Sequence, residues 1–218
     1  MRPRLVFCLS PIVLLLTGCF PHHAGPRLAH FEDEAPAVGD PAPEFTLYDL
    51  DGNAVELSSL IGVKPIVLRF GSHSCPVYRY RRFSMEGVIE DYDDRVHFLT
   101  IYTREAHPVD SKSPYAEGEW DFWLNRVLGV RVHEPATERE RAELASASHE
   151  KLNLPELMVV DDMDNSTWEA YGSASSPAFV IDRDGKVALR QVWVIPKEIR
   201  EVLDELLDLQ AEPIPRDP

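Results

Sequence analysis

Pro65-Ile66-Val67-Leu68-Arg69-Phe70-Gly71-Ser72-His73-Ser74-Cys75-Pro76 is the stretch from which the fold can be read. Ile66 to Phe70 is a short, largely apolar run containing β-branched residues, the pattern of a strand buried on both faces. Gly71 to Ser74 breaks that run as a polar loop. Pro76 suits the first turn of a helix, where its missing N–H removes no hydrogen bond. The helix is expected to run to about Tyr92. Cys75 therefore stands after a strand end and at a helix start, the rim where open α/β sheets bind ligands. Free amides and the helix dipole there favour a thiolate and lower the thiol pKa. Arg79, Arg81 and Arg82 add positive charge. The plain alternative is a buried structural cysteine; the polar loop before it and the proline after it favour a reactive one.

Outward from this stretch, strands and helices alternate. Phe45–Leu50 and Ala54–Leu57 flank Asp51-Gly52-Asn53, a hairpin signal. Val96–Thr103 reads as a second buried strand, and the irregular stretch with Trp120 and Trp123 as partly helical. Thr137-Glu138-Arg139-Glu140 is a capping-box pattern opening a helix to about Leu152. Strands are expected at Leu157–Val160, Ala178–Ile181 and Val187–Val192, with a short helix at Ser166–Tyr171. Pro196 opens a last helix with Ile199, Val202, Leu203, Leu206 and Leu207 on one face. The expected class is α/β, with a mixed, mostly parallel central sheet flanked by helices and an N-terminal β-hairpin. The element order resembles that of a thioredoxin-like domain. Pro177, directly before a strand, then falls where that fold carries a cis-proline beside its active site. A trans-proline at a strand start is the alternative.

The 218 residues suit one domain with tails, 44% of them hydrophobic. Net charge is -15, which argues against nucleic acid and anionic membrane surfaces as partners. Residues 1–18 read as an export signal: Arg2 and Arg4, then a short apolar stretch from Leu5 to Leu16. Leu16-Thr17-Gly18-Cys19 resembles a bacterial lipobox, implying cleavage before Cys19, its lipidation, and a membrane anchor on the periplasmic or outer side. An ordinary cleaved signal with a chance cysteine is the alternative. Residues 19–43 read as a flexible tether, residues 44–210 as the domain, and residues 211–218 as a loose tail. His22 and His23, adjacent in the tether, carry no metal assignment. Cys8, Cys19 and Cys75 lie in three different settings, so no internal disulfide framework is expected.

The second buried strand ends in Tyr102-Thr103-Arg104-Glu105-Ala106-His107. In a parallel sheet this end shares a rim with Cys75, so Glu105 and His107 can stand near the thiol. A histidine gives or takes a proton near neutral pH, and a carboxylate can orient it. These residues carry a resemblance to the iodothyronine deiodinases. The segment ending at Cys75-Pro76 resembles that family's active-site strand, where selenocysteine usually stands in place of Cys75. Phe98 to Asp110, centred on Glu105-Ala106-His107, resembles its second signature. His133 with Arg141, Val159 to Asn165, and Tyr171-Gly172 match later features, so that residues 40–208 are covered.

The resemblance implies reductive removal of iodine from an aromatic ring. Cys75 would be the nucleophile, Glu105 and His107 would relay a proton, and His133 would contact the substrate. Ser72, Ser74, Arg141 and Pro177 would support the site. No cofactor or metal is implied; an external thiol would regenerate Cys75, and a homodimer is implied as well. Three departures stand out. Cysteine replaces selenocysteine, His73 stands where a thiol often lies two residues before the nucleophile, and Ser111-Lys112 replaces a Gly-Trp pair. The main alternative is a single-cysteine peroxidase of peroxiredoxin type, with Ser72 as the hydroxyl that activates peroxide. A disulfide reductase is disfavoured because no second cysteine of a Cys-x-x-Cys pair is present to release a mixed disulfide. A non-catalytic binding module is the remaining reading.

Overall fold

The computed structural model describes residues 31–116 and 118–211. The export signal, Cys19, the two tether histidines and the tail from residue 212 lie outside the described residues. Strands β1 (Thr46–Asp49) and β2 (Ala54–Glu56) form the expected hairpin, followed by the short α1 (Leu57–Leu60). Then come β3 (Ile66–Gly71), α2 (Pro76–Tyr92), β4 (His97–Tyr102), α3 (Trp123–Val127), α4 (Glu138–Leu152), β5 (Leu157–Val160), α5 (Ser166–Ala170), β6 (Ala178–Ile181), β7 (Val187–Gln191) and α6 (Pro196–Ala211). They build one seven-stranded sheet in the order β2-β1-β5-β4-β3-β6-β7.

Only the centre of this sheet is parallel. β3 pairs with β4 from Ile66 opposite His97 to Gly71 opposite Tyr102, and β4 pairs with β5. The β1–β5, β3–β6 and both hairpin pairings are antiparallel, so the sheet is less parallel than its alternating elements suggest. The two hairpin pairings need only tight turns, whereas the parallel neighbours β3 and β4 need a helical crossover, here α2. Alternation along β3 divides the core. Ile66, Leu68 and Phe70 pack with Phe31, Tyr171 and Phe179, while Val67 faces Val88, Ile89, Val180, Ile199 and Leu203 under α2 and α6.

Local rules explain the element ends. Asp49 accepts backbone bonds from Asp51 and Asn53 and so holds the first turn, with Gly52 at φ 84°. Thr137 caps α4 by accepting from the Glu140 N–H, and the Glu140 carboxylate reaches back to Ala136 N–H, one residue before the usual target. Asn153 ends α4 in the left-handed region.

The tether does not extend to Pro43. Residues 31–34 are helical and Phe31 is 1% exposed, packed 6.0 Å from the Phe179 ring. Gly39 and Asp40 bond to Val187 on β7, and Arg190 holds the Ala35 carbonyl. Phe31 and Ala35 bury apolar surface that a solvated linker would leave in water, and this outweighs the Pro- and acid-rich composition around them.

Gly71 closes β3 against Tyr78 of α2. A Cβ on Gly71 would lie 2.2 Å from Tyr78 Cδ2, with the ring fully buried. Gly71→Ala is therefore expected to lower unfolding stability by about 1–3 kcal/mol, the usual cost of overpacking. Urea denaturation measures this, and an unchanged midpoint would mean that the ring has room to move.

Candidate active site

The loops after β3 and β4 are clasped together by their own side chains. Thr103 N–H donates to Gly71 C=O at 3.0 Å, Ala106 N–H to Ser72 Oγ at 3.1 Å, and His107 N–H to Ser74 Oγ at 2.9 Å. In the reverse direction Ser74 N–H donates to Glu105 Oε2 at 2.7 Å. Tyr102 Oη donates to Glu105 Oε1 and accepts from His73 N–H. Arg79 closes the opposite side: its guanidinium bonds His73 C=O at 2.6 Å and Asn125 Oδ1 at 2.7 Å. Asn125 in turn donates to Ser74 C=O at 2.7 Å. Every residue from Ser72 to Cys75 is thus fixed by neighbours or buried.

Cys75 is the N-cap of α2, as its position before Pro76 implies, and is 1% exposed. Burial pushes its thiol pKa up, against the amides of Tyr78 and Val77, the charge of Arg79 and a bond from Ser175. The expectation of a lowered pKa is therefore corrected. Helix-start donors are present, but loss of water outweighs them in the closed site. Arg82 does not add to them, because it turns to Leu152 C=O. The Ser176–Pro177 peptide is trans, correcting the expected cis bond. Trans is the resting preference of an X–Pro bond. Ser176 bridges to Trp193, and Pro177 C=O accepts from Phe70 N–H.

Glu105 is fully buried, and desolvation raises its carboxyl pKa despite the bonds from Ser74 and Tyr102. It does not orient His107, as had been expected of it. The His107 ring is held by Trp120: Nδ1 lies 3.1 Å from the Trp120 carbonyl, and the rings meet edge-on at 4.3 Å. A carbonyl only accepts, so Nδ1 carries the hydrogen and Nε2 of the neutral ring is an acceptor. Burial lowers the His107 pKa to about 4, so this ring is neutral at pH 7. Phe122, 5.5 Å from the imidazole, extends an aromatic wall.

The other expected site residues divide. Ser72 and Ser74 lie in the clasp. His133 does not: its side chain is 74% exposed and pairs with Asp110 at 2.8 Å. Arg141 is buried away from solvent, donating to Asp162 C=O and Asn165 Oδ1 and pairing with Glu134. Glu134 Oε2 accepts the Glu105 N–H at 2.9 Å, so Arg141 acts as a brace two bonds behind Glu105. Residues absent from the expected site are Tyr102, Asn125, Glu134, Ser175 and the aromatic wall. Tyr102 had a usable signal, since it closes β4 three residues before Glu105. Asn125 had none, because α3 reaches the site only through the fold. Among the described residues no group of three or more His, Cys, Asp or Glu side chains is placed to hold a metal ion.

A family model described as iodothyronine deiodinase matches residues 27–205. A thyroxine 5-deiodinase of Gallus gallus is 29% identical over 150 residues, covering 67% of this chain and 53% of that protein. A type I iodothyronine deiodinase of Xenopus laevis is 29% identical over 180 residues, covering 80% of this chain and 65% of that protein. The chain spans about half the length of the first of these. Among solved structures, an uncharacterized conserved protein from Geobacillus kaustophilus matches with TM-score 0.57 at 21% identity, covering 83% of this chain and 86% of its own. The thioredoxin domain of a thiol-disulfide oxidoreductase from Bacteroides vulgatus matches with TM-score 0.54 at 15% identity, covering 82% of this chain and 100% of its own. These likenesses carry the fold, which is thioredoxin-like.

The neutral histidines have a measurable consequence. His73, like His107, is held by burial at a pKa of about 4, below the ordinary 6.5. As pH falls below 6.5 the unfolded chain takes up these protons first, so stability present above that pH is lost as pH falls toward 4. The raised Glu105 and Glu134 carboxyls act the other way, so the difference between parent and variant isolates the imidazole. Urea unfolding between pH 7 and 4 is expected to show a shallower loss in His73→Gln than in the parent. Parallel pH curves would contradict a neutral, buried His73.

Proposed function

The chain belongs to the iodothyronine deiodinase family, and on that premise we propose that it is a thiol-dependent oxidoreductase. Cys75 is its nucleophile, and the substrate is an iodinated phenol. The observation that supports this most is the clasp. It ties the loop ending at Cys75, the one cysteine among the described residues, to the Glu105-Ala106-His107 loop, with proton-bearing groups and an aromatic wall beside them.

In the proposed reaction the Cys75 thiolate attacks iodine on the ring. The S–I bond forms, the C–I bond breaks, and its electron pair stays on the ring carbon. That carbon takes one proton, and the ring is reduced as sulfur is oxidised. The raised Glu105 carboxyl, hydrogen-bonded to Tyr102 and Ser74, suits the supply of that proton. His107 Nε2, an acceptor, suits the phenol O–H, while Trp120 and Phe122 suit its ring. One external thiol then displaces iodide from sulfur to form a mixed disulfide. A second releases the Cys75 thiol, giving overall one aryl hydrogen, one iodide, one proton and one external disulfide. The amides of Val77 and Tyr78 stabilise the thiolate each time it forms. An external thiol is the reductant in this proposal, Cys75 being the one cysteine among the described residues. Export and lipidation at Cys19 are proposed on the sequence of residues 1–19.

Purified full chain with dithiothreitol is tested against thyroxine and, separately, hydrogen peroxide. Iodide release that falls by at least about 100-fold in Cys75→Ser is expected, a loss typical of removing a covalent nucleophile. Rapid peroxide loss without iodide release would replace this reading with a thiol peroxidase.

A further inference from the structure

The acidic charge of this chain is unevenly spread. Residues 76–85 and 122–133 together hold five arginines and no Asp or Glu, in a chain of net charge -15. These two segments are the first turns of α2, and α3 with the loop that follows it, and the Arg79–Asn125 bond joins them at the catalytic rim. Among the described residues they also carry half of the large exposed apolar side chains: Tyr80 and Phe83 on α2, Trp123 and Val127 on α3, and Leu128 just after it, all at 55% exposure or more. Arg82 lies over the Phe83 ring at 3.8 Å. The acid nearest in sequence to α3, Asp121, is occupied by Arg126 and Arg131.

We propose that this rim is a docking face for an anionic lipid surface. Tyr, Trp and Phe interleaved with Arg is the composition that settles at a membrane interface, with rings at headgroup depth; Arg79 and Arg82 hold carbonyls, so phosphates would meet Arg81 and the exposed Arg126 and Arg131 beside Asp121. Where the chain enters the fold points the same way. Followed back from Pro41 to Phe31, the chain lies along β7 from Lys186 to Arg190, toward the end of β7 that pairs with Ala178 near Ser175 and Cys75. Phe31 is thus delivered at the catalytic end of the sheet. Cys19 lies 12 residues before it, a span of at most about 40 Å when extended. Only this reach depends on the proposed lipidation; the charge and apolar pattern stands without it. A docked rim would draw amphipathic aromatic substrates from the bilayer interface to Cys75. Net charge alone excludes such a surface, and segregation of the charge reverses that conclusion.

The test places the full chain on vesicles of brominated phosphatidylcholine, with or without phosphatidylglycerol. Flotation reports attachment. The quenching lost in Trp123→Phe reports whether the rim is in the lipid. Trp123-dependent quenching is expected on the anionic vesicles. The partition constant for docking should fall roughly fivefold for each arginine removed in Arg81→Gln and Arg126→Gln. The quenching should persist in Cys75→Ser, which separates docking from the reaction. No attachment to anionic vesicles, or attachment with equal quenching on both vesicle types, overturns the proposal. So does shielding of Trp123 from both bromolipid and acrylamide as protein density rises, which would assign the face to a second copy of the chain.

Discussion

The site depends on one reciprocal clasp. Ser74 gives its N–H to Glu105 and takes the His107 N–H on its hydroxyl, while Ser72 takes the Ala106 N–H. Two loops from neighbouring parallel strands are thereby fixed in register with each other, at the point where Gly71 stands opposite Tyr102. The backbone groups left unpaired at the strand ends find partners, as buried polar groups must. Cys75 is held at the start of α2, and the aromatic wall around His107 has a fixed floor. Behind the clasp, the Arg141–Glu134 pair holds the Glu105 amide and reaches to the loop after β5.

Charge and burial compete at the thiol. A helix start, Arg79 and the Ser175 bond favour the thiolate, but near-complete burial favours the neutral form more. The same desolvation raises the Glu105 carboxyl above its ordinary pKa and holds the His107 imidazole neutral. The closed site therefore holds a neutral thiol, a carboxyl inclined to keep its proton and a neutral imidazole. That set is suited to moving one proton per turnover with little net charge in the interior.

Much of this was legible in the sequence, because it was written in local pattern. The β3 run, Pro76 at the helix start, the Thr137 cap and the Asp-Gly turn each carry their own signal. Bringing the Glu105-Ala106-His107 loop against the loop that ends at Cys75 needed only the rule that parallel strands share a rim. What was not legible came from longer range. Trp120 orients His107 through a carbonyl, and no residue type announces that. Glu134 is an ordinary surface acid until the fold sets it on the Glu105 amide. The raised thiol pKa depends on how much water is excluded, and helix position alone does not reveal it. Phe31 and Ala35 pack on the sheet in spite of a composition that reads as linker. His133 matched by pattern, yet stands exposed beside Asp110.

The central claim is that Cys75 sulfur itself takes the halogen. It is tested most directly in the absence of any reductant, by incubating the full chain with an iodinated phenol and following product and thiol together by mass spectrometry. One equivalent of deiodinated ring per chain is expected, with Cys75 oxidised and restored by added thiol. Deiodinated product with Cys75 still reduced, or oxidation confined to Cys8 or Cys19, would contradict it.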